Sequence, residues 1–223
     1  MLALLSASLT VRALYSLTSS VPRRCRAGVF QQWIYWGWST IQLTRRTTAL
    51  SRMKVGVHEA EDVAAAVRYA RRHLSHSDVL LFGQSMGAAA ILRAVHEHAI
   101  QPDAVMLEAV FDTMLNTVRN RFRAMQVPAF PSAELLVFWG GRQWGFDGFT
   151  HNPADYAASV HCPVLLMHGA RDPRVSLTEA RRVFEAVPGS KEFVTFEQSG
   201  HESYLSNHTS QWRTAVERFI KRT

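Results

Sequence analysis

The sequence predicts an α/β domain on a mostly parallel sheet, and three observations predict it. Four short apolar runs, at 78–82 (DVLLF), 103–109 (DAVMLEA), 163–167 (PVLLM) and 192–196 (EFVTF), have the length of buried strands. Helical patterns precede them and lie between them. The chain also has material for a core: 223 residues, 47% apolar and 19% charged. That suits one domain, or one domain with a small insertion. It excludes a disordered tail, a collagen-like fibre and a low-complexity linker. Two cysteines, Cys25 and Cys162, exclude a disulfide scaffold and a Cys-rich zinc module.

The first element is a leader, residues 1–55. The chain carries a net charge of +7 and a pI near 10, which by itself points to a nucleic-acid or anionic-membrane partner. The distribution argues otherwise. Residues 1–58 hold eight basic residues (Arg12, Arg23, Arg24, Arg26, Arg45, Arg46, Arg52, Lys54) and no acid. Residues 59–223 hold 17 basic and 18 acidic residues. A basic leader thus precedes a near-neutral body, and no nucleic-acid partner is expected. Residues 1–20 are apolar and hydroxyl-rich, but Arg12 interrupts the run of about 20 apolar residues a membrane span needs. No membrane partner is therefore expected. No Lys or Arg precedes the apolar run as in a secretory signal. The Arg-rich, Ser-rich, acid-free composition fits an organellar transit peptide; ordinary N-terminal sequence in a chain with 22 Arg and 3 Lys is the favoured reading. A cytoplasmic location is expected, with a targeting segment left open. Residues 31–39 (QQWIYWGWS) crowd three Trp together without a clear period. Partial burial against the body is expected for them, and no secondary structure is assigned.

The body begins with residues 57–74 (VHEAEDVAAAVRYARRHL), where Val63, Val67 and Ala70 recur at i, i+4 and i+7. Glu59, Glu61 and Asp62 at the start and Arg71 and Arg72 near the end complement a helix dipole. The run 78–82 then leads into Gly83-Gln84-Ser85-Met86-Gly87, and 86–98 is again helical. In a strand, Gly-x-Ser-x-Gly, helix context, a tight turn holds the serine Oγ above the sheet. The N–H of the following residue, Met86, can then stabilise a developing oxyanion. The run 103–109 is a second parallel strand. The run 163–167 leads into His168-Gly169-Ala170-Arg171-Asp172, and 192–196 leads into Gln198-Ser199-Gly200-His201. A helix over about 176–187 presents Leu177, Ala180, Val183, Phe184 and Val187, and one over about 209–221 presents Trp212, Val216, Phe219 and Ile220. Ser85, Asp172 and His201 each follow a strand, so they share the carboxyl edge of the sheet, where ligands bind in open α/β folds. Their chain order is serine, acid, histidine.

These motifs resemble the α/β-hydrolase superfamily, in its serine-hydrolase and aminopeptidase-like branch, over residues 56–223. Gly56 and the helix starting near Glu59 also look like the segment before that family's nucleophile strand. The resemblance implies that Ser85 is the nucleophile and His201 the general base, later the acid. It implies that Asp172 orients His201 and that the Met86 N–H is an oxyanion donor. One departure stands out. The family has several strands before the nucleophile strand, including a His-Gly loop that supplies the second oxyanion donor, and residues 1–58 show neither. Trp36-Gly37-Trp38-Ser39 is the nearest candidate for that loop. The fold is therefore expected to be N-terminally incomplete, as from a truncated or aberrant reading frame, with a sheet edge left open.

Residues 110–160 are polar-aromatic and occupy the place where the resembled fold inserts a lid; 134–139 are expected to be part of a helix. The lid aromatics either favour an apolar acyl group or simply pack on the body. His96 and His98 stand at i, i+2 and do not face each other. His161, Cys162 and His168 have no zinc spacing, and neither a phosphate loop nor a dinucleotide fingerprint is present. No metal and no cofactor are expected. The expected function is a serine hydrolase cleaving an ester, thioester or amide of a small-molecule substrate through an acyl-enzyme. A peptidase remains open within that class. The alternative is a catalytically silent α/β-hydrolase-like binding protein or a truncated product. The sequence assigns no oligomeric state.

Overall fold

A computed structural model of the chain describes residues 56–57, 59–72 and 78–223 in full, and the backbone of residue 73. It describes the backbone alone of four strands within 11–16, 29–30, 34–35 and 38–44. The four apolar runs form the expected parallel strands. They are β5 (Leu80–Gln84), β6 (Ala104–Glu108), β7 (Val164–Gly169) and β8 (Lys191–Phe196), adjacent in that order. Two of them run further than expected. Gly83 and Gln84 pair with Leu107 and Glu108, and His168 and Gly169 pair with Thr195 and Phe196. The first residues of both motifs are thus strand residues, held by ladder pairing that their composition does not signal.

Both faces of this sheet are covered, which explains the continuous apolar runs. Alternate residues point to opposite sides. Leu81, Val105, Leu107, Val164 and Leu166 face one core with α1 (Glu59–His73) and α2 (Met86–His98). Val63, Val67 and Ala70 are buried there as their spacing predicts. Behind β7, α6 (Leu177–Ala186) adds Ala180 and Val183. A capping box between Ser176 and Glu179 starts α6. On the other face, Leu80, Met106, Leu165, Met167 and Phe196 meet Val216 and Phe219 of α8 (Thr209–Ile220).

The leader departs from expectation. β1 (Val11–Ser16), β2 (Val29–Phe30), β3 (Ile34–Tyr35) and β4 (Trp38–Thr44) extend the same sheet in antiparallel fashion. The edge of β5 expected to be open is paired with β1, from Val11 opposite Gly83 to Leu14 opposite Leu80. Strand pairing is decided by the partner edge rather than by local period, so these strands had no readable signal. Cys25, Trp36 and Gly37 lie outside the described residues, as does most of the proposed targeting segment. Among the described residues, no helix is long and apolar enough to cross a membrane.

Between β6 and β7 the insertion folds into α3 (Met114–Ala124), α4 (Ser132–Trp144) and the short α5 (Pro153–Ala157). The helix expected at 134–139 is the middle of α4, which Gly145 ends in the left-handed conformation at φ 77°. Phe130, Phe138, Trp139 and Phe149 stay exposed, between 40% and 77%.

Candidate active site

Ser85 sits between β5 and α2 with φ 51° and ψ −113°, a strained conformation for a residue with a side chain. The turn is fixed from both sides: the Ser85 N–H donates to Glu108 C=O at 2.7 Å, and Ser85 C=O accepts from Ala89 N–H at 3.1 Å. A Cβ on Gly83 would lie 2.6 Å from the backbone of Gly87, so strand and helix cross too closely for any side chain there. The motif's first glycine is thus a packing requirement, and it lifts Ser85 to the sheet's carboxyl edge.

The structure brings Ser85, Asp172 and His201 together. Ser85 Oγ stands 3.0 Å from His201 Nε2, and His201 Nδ1 stands 2.7 Å from Asp172 Oδ2. The Asp172 side chain is fully buried and the His201 side chain is 11% exposed. Asp172 Oδ1 accepts from the N–H groups of Arg174 at 2.8 Å and Val175 at 3.0 Å, so with the His201 contact the carboxylate has three hydrogen-bond partners. With Nδ1–H donating to Asp172, the Nε2 lone pair of His201 is left to accept the Ser85 hydroxyl proton. Met86 opens α2, where the first-turn N–H groups have no intrahelical acceptor.

The acid and histidine loops are held against each other by their backbones. Ala170 N–H donates to Phe196 C=O at 3.0 Å and Arg171 N–H to Ser199 C=O at 2.9 Å. Gly169 lies so close that a Cβ would meet the carbonyl oxygens of Ser199 and Gly200 at 2.5 Å. Three further supports were not anticipated from the sequence. Tyr204, on the short α7 (Tyr204–Asn207), accepts the Gly169 N–H at 2.7 Å and stacks on Phe196 with centroids 4.5 Å apart. Burial raises the Tyr204 phenol well above its ordinary pKa, so it stays protonated. Gln84 Nε2 donates to Glu202 C=O at 2.8 Å, tying the elbow to the histidine loop. His168 is buried and donates from Nε2 to Val175 C=O at 3.0 Å, closing the acid loop; burial lowers its pKa. Position inside the three motifs was the only signal for Gln84 and His168. Tyr204 had none.

Among the described residues, no group of three or more His, Cys, Asp or Glu is placed to hold a metal ion. Cys162 is an unpaired thiol that burial pushes up to about 11. A cavity of about 670 Å³ opens in the insertion between α4 and the following loop, lined by Phe138, Arg142, Phe146, Asp147 and Phe149.

Comparison with known proteins bears on this geometry. Residues 48–223 match the sequence model of the prolyl oligopeptidase family. A curated relative, the uncharacterized protein YqkD of Bacillus subtilis (strain 168), is 22% identical over 190 residues, covering 82% of this chain. The chain spans 62% of that relative's length. Among solved structures, the esterase Pf2001 of Pyrococcus furiosus superposes with a TM-score of 0.59 at 18% identity, covering 83% of this chain and 69% of the other. The monoacylglycerol lipase of Paleococcus ferrophilus gives 0.54 at 15% identity, covering 83% of each chain. An alpha/beta fold family hydrolase from Bacillus anthracis str. Sterne gives 0.55 at 11%, covering 81% of this chain and 82% of that one. The shared feature at these identities is the α/β-hydrolase fold.

Proposed function

The chain belongs to the prolyl oligopeptidase family, of α/β-hydrolase fold, and on that premise we propose that it is a serine hydrolase working through an acyl-enzyme. The substrate is a small molecule carrying an ester, thioester or amide bond. Ser85 Oγ attacks the carbonyl carbon while its proton passes to His201 Nε2. Asp172 holds the imidazole tautomer and stabilises the imidazolium. The Met86 N–H meets the oxyanion, a contribution of about 3 kcal/mol to the barrier for such a donor. The bond to the leaving group breaks as His201 returns the proton to it. Water then enters by the same route and releases the acid. The catalytic unit is residues 56–223, with 110–160 as its lid.

One observation carries the proposal: the unbroken hydrogen-bonded line from Ser85 Oγ through His201 to the buried Asp172, at 3.0 and 2.7 Å. The test is labelling by a fluorophosphonate probe and turnover of a short-chain aryl ester, in the wild type and in Ser85→Ala. Both signals should vanish in the variant. Turnover that survives there removes Ser85 as nucleophile. A folded wild type that neither labels nor turns over is a silent hydrolase-like protein.

A further inference from the structure

Among the described residues, the large apolar side chains left exposed all lie between residues 125 and 149. They are not loose ends. Val127 N–H donates to Phe122 C=O at 3.0 Å and Ala133 N–H to Ala129 C=O at 2.7 Å, so the turn carrying Phe130 is held by its backbone. Arg119 and Glu134, 2.6 Å apart, tie α4 to α3. The roll of α4 is fixed as well. Its inner face is Ala133, Val137 and Gly141, all buried. A Cβ on Gly141 would meet the Phe146 carbonyl oxygen at 2.5 Å, and one on Gly148 would meet Val137 at 2.8 Å. Leu135, Trp139 and Arg142, at i, i+4 and i+7, therefore form the outermost stripe, with Leu136 and Phe138 on its flanks. Trp139 is 64% exposed and Phe130 77%. An ordinary surface helix turns its polar face outward instead.

Charge completes the pattern. Residues 113–146 hold four arginines and one acid, Glu134, which Arg119 occupies. The rest of residues 59–223 holds 13 basic and 17 acidic residues. Arg123 and Arg142 are exposed, and among the described residues neither pairs with a carboxylate. This constrains what can cover the face. The leader has the wrong sign, with eight bases and no acid before residue 59. A second copy meeting it about a two-fold axis would set these arginines against their own copies. An anionic bilayer matches both halves: its headgroups take the arginines, and its acyl boundary takes the Trp, Phe and Leu side chains.

We propose that the outer face of α3 and α4, centred on Phe130, Leu135 and Trp139, docks on the surface of an anionic lipid bilayer. The expectation of no membrane partner rested on the leader, and this face lies in the body. It rests on the bilayer and does not cross it: no described helix is long and apolar enough to do so. The docking is independent of the chemistry at Ser85, and its test uses no substrate. The full chain is sedimented at low ionic strength with vesicles of phosphatidylcholine alone and of phosphatidylcholine with phosphatidylglycerol. Wild type should pellet with the anionic vesicles and far less with the neutral ones. Phe130→Ser and Trp139→Ser should each weaken that partition by about tenfold, the loss of one large apolar side chain from the acyl boundary. Arg123→Gln and Arg142→Gln should each weaken it by about fivefold, on anionic vesicles alone. All four side chains are exposed, so thermal melts should match wild type; where one variant melts lower, the other three decide. Wild type that stays in the supernatant with both vesicles, or partitions equally onto them, overturns the proposal. So does partition unchanged in Phe130→Ser and Trp139→Ser, which keep every charge and would leave binding through the basic leader intact. A dimer in size-exclusion chromatography that Trp139→Ser dissociates makes the occupant a second copy and overturns it too.

Discussion

Substituting Gly169 by alanine perturbs the candidate site without touching any of the three side chains proposed to act there. The new Cβ would meet two carbonyl oxygens, of Ser199 and Gly200, at 2.5 Å. Ordinary contact needs on the order of 1 Å more. Both obstacles are backbone, so no side chain can swing aside. The acid and histidine loops must part instead. The bonds Ala170 N–H to Phe196 C=O and Arg171 N–H to Ser199 C=O, at 3.0 and 2.9 Å, span that seam. So does the Asp172–His201 contact at 2.7 Å, which would open beyond hydrogen-bond range. A displacement of about 1 Å in a catalytic group costs roughly 100-fold in rate. Overpacking adds about 1–3 kcal/mol of destabilisation. At about 2–4 °C per kcal/mol for a chain of this size, the melting temperature should fall by roughly 2–12 °C. The assay is kcat/KM on a short-chain aryl ester with a thermal melt. Gly140→Ala is the control, because a Cβ there meets nothing within 4 Å. A Gly169→Ala protein with wild-type activity and melting temperature refutes the claim that this close approach sets the triad.

Other consequences follow from single contacts. Asp172→Asn should keep the fold and lose about 10⁴-fold in kcat through the wrong His201 tautomer; a loss under tenfold argues against the assigned role. Tyr204→Phe leaves the buried Gly169 N–H without its acceptor and should cost about 1–3 kcal/mol in denaturant unfolding. The depressed His168 pKa means that the unfolded chain takes up a proton that the fold excludes. Stability therefore falls as pH drops below about 6.5, by at most about 1.4 kcal/mol per pH unit from this residue. In His168→Gln that part of the pH dependence should disappear; unchanged unfolding curves at pH 5 and pH 7.5 in the wild type would contradict it. Alkylation of Cys162 by iodoacetamide should keep accelerating with pH until near 11. A plateau near pH 8.5 would show an exposed, ordinary thiol.

The positions of Ser85, Asp172 and His201 at strand ends, and the four parallel strands themselves, were legible because each depends on local chemistry. A buried strand must be apolar, and Gly83 must be glycine where Gly87 crosses it at 2.6 Å. Three loops after parallel strands share one edge by topology alone. What the sequence did not reveal depends on partners distant in the chain. The leader strands form because β5 offers an edge from Gly83 to Leu80, and nothing within residues 11–44 announces that edge. Gln84 and Glu202, 118 positions apart, meet only when the sheet is assembled. Tyr204 finds the Gly169 N–H across 35 residues.

The basic excess shows the same division. From composition it is a leader property, since residues 59–223 carry one more acid than base. Yet within that nearly neutral body, tertiary packing pairs Arg182 with Asp112 across 70 positions and leaves the Arg121 Nε buried without a hydrogen-bond partner. Residue type and spacing determined which side chains the proposed chemistry draws on. Only the folded arrangement decided which charges are compensated, because compensation is a matter of distance in space and not of position along the chain.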